Sequence, residues 1–266
     1  MQTLELHFSS RGEGPPLLLL HGLYGSGNNW LSHARWLEKD FRVILPDLRN
    51  HGRSPHAEPM DYPAMAADIG ALLDRLDIEQ ALILGHSMGG KTAMTLALQA
   101  PGRVRALIAA DIAPVTYRQS HGHDDILDAL RALPLTALES RAAADRALAE
   151  RIESSMVRQF LLTNLERGDD GYRWRIPLDT LTAAMPAIRG FPELSGRYEG
   201  PALFIHGGAS DYLTEDALPA VRRYFPQAQV ETLAETGHWL HVERPEAFAE
   251  ALRRFLSPFR NAASPG

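Results

Sequence analysis

Four unbroken apolar runs constrain the fold of this 266-residue chain more than any other feature: Leu17–Leu20 (LLLL), Ala81–Leu84 (ALIL), Ala106–Ala110 (ALIAA) and Ala202–Ile205 (ALFI). A strand with one face in water alternates apolar and polar residues. A strand covered on both faces does not, and both-face burial is the rule in parallel sheets. The spacing predicts strands at Thr3–Phe8, Leu17–His21, Arg42–Pro46, Gln80–Leu84, Val104–Asp111, Ala202–His206 and Gln229–Leu233. Helical patterns separate them. In YPAMAADIGALLDRLD, residues Met65, Ile69, Leu72, Leu73 and Leu76 form one stripe at helical spacing. Phe248, Leu252, Phe255 and Leu256 do the same near the C-terminus, with Pro245 placed to begin that helix. Alternation of this kind predicts the α/β class, with a mostly parallel, doubly wound sheet.

The alternation breaks between Thr116 and Arg197 and resumes at PALFIHGG. The segments DDILDALRAL, PLTALESRAAADRALAER, SSMVRQFLLTNL and PLDTLTAAMPAI all read as helices. The stretch is far longer than an ordinary crossover and predicts an all-helical cap. Residues 1–115 and 198–266 would then form the core, and 116–197 the cap.

A formal charge of −6 without long like-charged runs argues against a nucleic-acid partner. The longest run of the strongest apolar residues, LLLL, is far too short to span a bilayer. The start, MQTLELHF, lacks the basic and apolar regions of a secretory signal, so a cytoplasmic protein is expected. With no cysteine there is no disulfide and no thiol catalysis. His121, His123, Asp124 and Asp125 (HGHDD) could suggest metal ligands. The wider ligand set of a metallohydrolase is missing, and a solvated entry to the cap is the expected role, with no metal or cofactor.

One loop carries two overlapping motifs. In LILGHSMGGKTAM, Gly85, Ser87 and Gly89 make G-x-S-x-G, the strand-to-helix turn of a nucleophilic serine. Gly85, Gly90, Lys91 and Thr92 make G-x-x-x-x-G-K-[ST], a phosphate-cradling loop. Against phosphate stand the four strand candidates before the loop, and the bulk of His86 and Met88 where backbone would have to wrap a phosphate. Acyl transfer requires more of the chain. Serine needs a base, the base needs an acid, and the oxyanion needs fixed N–H donors. These parts occur in the expected order. Asp111 and Asp211 each end a strand candidate, His238 lies in the loop of ETGHWLHVERP, and His21-Gly22-Leu23 follows the second strand. Ser87 is the candidate nucleophile and His238 the base; Asp111 or Asp211 would be the acid, and the amides of Leu23 and Met88 the oxyanion donors.

The stretches HGLYGSGNNW, DLRNHGRSPH, GHSMGGKTAM, DIAPV, FIHGGASDY and GHWLHVERPE carry a resemblance that spans residues 21–246. With them the chain resembles α/β-hydrolases of the group that contains the YbfF-like bacterial esterases and their mitochondrial relatives. The resemblance implies an α/β-hydrolase fold with a helical cap insertion. It also implies a serine esterase of short- to medium-chain acyl esters, extending to acyl-CoA thioesters, that needs no cofactor. In that group the lysine after the nucleophile is helix sequence, so Lys91 would hold no phosphate. Members can lack an acid at the G-x-x-D position, here Asp211, and use the aspartate of D-I-x-P-V. That favours Asp111.

Several other residues have expected places. His21, Tyr24, Tyr117, Phe160, Trp174 and Trp239 are candidates to line an acyl pocket. His86 would pack under the serine turn, His241 would pack in the core, and Asp47, Arg49, Asn50 and His51 would brace the oxyanion loop. Carbon–carbon bond hydrolase, lactonase and perhydrolase activities need the same three catalytic residues. Two rival classes are a non-catalytic receptor of this fold, which a fluorophosphonate probe would not label, and a nucleotide binder, which magnesium nucleotide would stabilise against heat.

Overall fold

The computed structural model describes residues 2–169 and 171–260. Met1 and residues 261–266 of the expected core, and Asp170 of the expected cap, lie outside the described residues. Seven strands form the main sheet: β1 (Phe8–Arg11), β2 (Pro16–Leu20), β3 (Arg42–Pro46), β4 (Ala81–His86), β5 (Val104–Ala110), β8 (Ala202–Gly207) and β9 (Ala228–Leu233). Their spatial order is β1-β3-β2-β4-β5-β8-β9. Only β1 is antiparallel to its neighbour.

The apolar runs explain the layering. Successive side chains of a strand point to opposite faces. Leu17 and Leu19 of β2 therefore join Leu82, Leu84, Ile108, Leu203 and Ile205 in one core. Helices α1 (Leu31–Leu37) and α10 (Pro245–Leu256) cover that face with Leu37, Phe248 and Leu252. Leu18 and Leu20 join Ile83, Leu107 and Phe204 in the other core, under Ile69 and Leu73 of α2 (Tyr62–Arg75) and Met94 of α3 (Met88–Gln99). Each such leucine, once buried, contributes roughly 1.5–3 kcal/mol.

Two expectations need correction. The first strand lies at Phe8–Arg11, after the expected Thr3–Phe8. Phe8 to Arg11 pair with β3, whereas the amides of Leu4 and His7 go to the side chains of Asp68 and Ser54, so pairing starts only at the end of the expected stretch. The insertion between β5 and β8 is also not all-helical. It holds α4 (His123–Arg131), α5 (Arg141–Ala149), α6 (Ser155–Leu162) and α7 (Leu178–Arg189), together with a hairpin of β6 (Leu165–Gly168) and β7 (Gly171–Trp174). Gly171, at φ 116°, permits the tight turn, and Glu166 pairs with Arg173 at 3.2 Å and Arg175 at 2.7 Å. The remaining helices, α8 (Leu218–Tyr224) and α9 (Leu240–Glu243), flank β9.

Lys91 joins the core to both stems of the insertion. It is fully buried on α3, and its ammonium donates to the carbonyls of Val115 (2.8 Å), Arg189 (3.0 Å) and Gly190 (2.6 Å). Its charge lies 4.4 Å from the centre of the Tyr117 ring. Three donors meet three acceptors, so Lys91 is committed to structure and has no hydrogen left for a phosphate. We expect Lys91→Met to lower stability in urea by about 3 kcal/mol or more, because each orphaned buried acceptor costs about 1–3 kcal/mol. Magnesium-ATP should leave the Tm of the unaltered protein unchanged.

Candidate active site

The turn between β4 and α3 holds Ser87 at φ 51° and ψ −118°. This backbone region is strained for any residue with a Cβ, at a cost of order 1–3 kcal/mol. Surrounding contacts hold it there. A Cβ on Gly85 would lie 2.2 Å from the Gly89 carbonyl oxygen, and one on Gly89 would lie 2.4 Å from that of Leu20. The glycines of G-x-S-x-G are thus steric requirements of the turn. The Ser87 amide donates to the Ala110 carbonyl (3.0 Å), which ties the turn to the end of β5.

Asp111 follows β5 directly and is fully buried. Its carboxylate accepts from the Gly207 amide (2.9 Å), the Ser210 hydroxyl (2.5 Å) and Nδ1 of His238 (2.7 Å). Asp211 makes none of these contacts. Its side chain is 66% exposed and lies 3.5 Å from Nε2 of His121. Asp111 directly follows β5 and Asp211 lies in the loop beyond β8, and only Asp111 meets the imidazole of His238. That imidazole stacks on the ring of Tyr212 at 3.9 Å and 21°. The His238 carbonyl accepts from Nε2 of His86 (2.8 Å), which fixes the loop beneath the serine turn. Among the described residues, neither the Ser87 hydroxyl nor Nε2 of His238 has a hydrogen-bond partner, and such bonds often tighten only around substrate.

The loop after β2 supplies the other expected elements. His21 donates from Nδ1 to the Gly22 carbonyl (2.8 Å) and accepts the Leu48 amide at Nε2 (2.9 Å). Although it borders the cavity, both its nitrogens are committed to holding this loop. His51 accepts the Tyr24 amide (3.0 Å), and Asp47 accepts that of Gly27 (2.7 Å). Arg49 forms a buried pair with Asp68 at 2.7 Å. Among the described residues, the amides of Leu23 and Met88 donate to no other group, and Met88 opens α3, where the helix dipole favours negative charge.

Ser87 and His238 border a cavity of about 340 Å³ beneath the insertion. Tyr24, Phe160 and Trp239 line it as well. Tyr117 borders a smaller recess that Ser87 also lines. Trp174 borders neither space: its indole N–H donates to the Leu130 carbonyl (3.0 Å), so it braces the insertion instead. His121 and His123 do not form a solvated entry. They line the cavity, His121 stacked on Tyr212 at 4.3 Å and His123 with Nε2 3.3 Å from the Tyr212 hydroxyl. Ser210 and Tyr212 carry no mark that separates them from ordinary loop residues. Their only signal is that they flank Asp211 in G-x-x-D.

Residues 15–245 match the family model described as alpha/beta hydrolase fold. The chain belongs to the α/β hydrolase family. More particularly, it is 39% identical over 242 residues to esterase YbfF of Escherichia coli, covering 91% of this chain and 93% of that protein. It is 38% identical over 255 residues to the sn-1-specific diacylglycerol lipase ABHD11 of Xenopus tropicalis, covering 94% and 80% of the two chains. A solved marine microorganism esterase superposes with a TM-score of 0.93 at 41% identity, covering 96% of this chain and 100% of that one. These relatives place the chain in the esterase and lipase branch of the family.

Two measurements follow from the geometry. Asp111→Asn should lower turnover by at least about a hundredfold and Asp211→Asn by about tenfold or less, since a histidine held in the wrong tautomer costs about 10⁴-fold. A larger loss from Asp211→Asn would reverse the assignment. The second measurement is the pH profile. Burial pulls His238 below the ordinary imidazole range and pushes Asp111 up to about 6 against its two loop donors. The pair takes up a proton as a unit, below the ordinary histidine value of about 6.5. Protonated His238 cannot act as base, so kcat/KM should stay level as pH falls from 8 past 6.5 and decline only on the acid side. A midpoint at 7 or above would contradict this.

Proposed function

We propose that the protein hydrolyses short- to medium-chain acyl esters through an acyl-enzyme on Ser87, with acyl-CoA thioesters open to the same chemistry. The Ser87 oxygen attacks the carbonyl carbon while Nε2 of His238 takes the serine proton. Charge builds on the carbonyl oxygen, and the amides of Leu23 and Met88 stabilise it. The carbon–oxygen bond to the alcohol then breaks, and His238 gives its proton to the departing oxygen. Water repeats the sequence: His238 takes a proton from it, the hydroxide adds to the acyl carbon, and the proton returns to Ser87 as the acid leaves. Asp111 holds the imidazole tautomer and offsets its transient charge. Every step moves protons among this chain's own groups, the substrate and water. Residues 116–197 act in this reading as a cap over the cavity.

The observation that carries the proposal is the buried contact from Asp111 to Nδ1 of His238 at 2.7 Å, beside a serine held in a strained turn at the same cavity. The names of the similar proteins, an esterase and a diacylglycerol lipase, agree with an ester substrate. Among the described residues, no helix is long and apolar enough to cross a membrane. The test is Ser87→Ala, assayed on p-nitrophenyl and CoA esters of graded length. Turnover should fall by more than about a hundredfold with the fold intact, and labelling by a fluorophosphonate probe should disappear. Retention of labelling, or a smaller loss, would remove Ser87 from its assigned role.

A further inference from the structure

Ser87 stands where two spaces of unequal size meet. The larger is the cavity of about 340 Å³, bordered by His238, Trp239 and Phe160. The smaller is a recess of about 20 Å³, bordered by Met88, Tyr62, Ile112, Met185 and Ile188. His238 borders only the larger space and Met88 only the smaller. We propose that the recess is the acyl subsite, and that the preferred substrates are esters of a very short acid, acetyl to propionyl, with a larger apolar alcohol. This deepens the reading of Ser87 as an ester-hydrolysing nucleophile and rests on it.

The tetrahedral carbon formed by serine attack carries three other substituents. Its oxyanion goes to the amides of Leu23 and Met88. Its leaving oxygen must lie within reach of Nε2 of His238, which gives it the proton. The alcohol therefore extends into the space that His238 borders. The acyl chain takes the remaining direction, into the recess, which His238 does not border. The order of events agrees, because the alcohol departs first while the acyl group remains bound to Ser87 until water arrives.

The recess walls suit a small alkyl group. The Tyr62 hydroxyl donates to the Ile188 carbonyl (2.6 Å) and that of Tyr117 to the Tyr212 carbonyl (2.6 Å), so both rings present carbon to the space. Met88, Ile112, Met185 and Ile188 add apolar wall, and Leu23, His121, His123, Arg189 and Tyr212 complete the border around Ser87. At about 20 Å³ against about 340 Å³ the recess is by far the smaller space, which favours a short alkyl group over a long one. The far wall is also fixed. Ile188 precedes Arg189 and Gly190, whose carbonyls are held by the buried Lys91 ammonium. The larger space, with Ile126, Val157, Phe160, Leu161 and Trp239 on its walls, can take an extended apolar alcohol.

Isomeric esters test the assignment, because they share composition and hydrophobicity and differ only in where the carbonyl lies. Octyl acetate should exceed ethyl octanoate in kcat/KM by about tenfold or more, the scale on which a few misplaced methylenes discriminate. Met185→Ala should raise kcat/KM for ethyl pentanoate at least about fivefold without raising it for octyl acetate. Ile188→Val repeats the test with a smaller truncation if the first variant does not fold. Equal or reversed preference between the two C10 isomers would overturn the assignment while leaving ester hydrolysis in place. An unaltered protein that cleaves neither isomer and takes no fluorophosphonate label would overturn the hydrolase reading, and this proposal with it.

Discussion

The site depends on keeping one carboxylate charged where no water reaches it. A buried carboxylate without partners would take up a proton or force its surroundings apart. Asp111 keeps its charge by drawing donors from two separate segments: Gly207 at the end of β8 with Ser210 in the loop after it, and His238 in the loop after β9. These loops are thereby fixed relative to β5 and, through the bond from Ser87 to Ala110, relative to the serine turn. Ser210 adds a second constraint, since its oxygen also accepts the Tyr212 amide (3.3 Å) and so helps hold the ring that stacks on His238. Position of the imidazole thus follows from satisfaction of the acid. Removing the charge would disturb both loops together with the place of the imidazole.

A buried cation does comparable work on the other side of the turn. Lys91 lies four residues after Ser87 on α3 and gathers carbonyls from both ends of the insertion. Tyr117 connects the two systems: its ring lies over the Lys91 ammonium, and its hydroxyl donates to Tyr212. Anion and cation therefore anchor opposite ends of one continuous set of contacts around Ser87. The insertion is joined to the core at a polar knot, so the recess beside Ser87 has walls from both parts of the chain that cannot shift independently.

Much of this was legible in the sequence where the signal is steric or periodic. Unbroken apolar runs require cover on both faces, and seven strands follow within a residue or two, apart from β1. Glycines at the serine turn are required by approaches under 3 Å, which is why G-x-S-x-G survives as a readable pattern. Features set by proximity between distant segments were not legible. Asp111 and Asp211 are equivalent as strand-end carboxylates, and the residues alone left both open. Only the placement of one imidazole nitrogen separates them, and resemblance, not spacing, favoured Asp111. HGHDD looks solvated as a local string, yet His121 stacks on a tyrosine 91 positions away. The pairing of β6 with β7 hides in charged sequence, where Glu166 sits opposite Arg173.

The burial of Lys91 also bears on how the protein can be handled. The chain has only two lysines, and one of them has its amine enclosed by three carbonyls. The other, Lys39, is exposed between α1 and the start of β3. Because β2, β3 and β4 run parallel, the start of β3 lies at the edge of the sheet opposite the loops that carry Ser87, Asp111 and His238. Of the two lysine amines, a coupling reagent thus finds only that of Lys39 exposed, on the face away from the cavity. A surface that captures the enzyme through Lys39 would hold the molecules in a common orientation, with the mouth of the cavity turned toward solution.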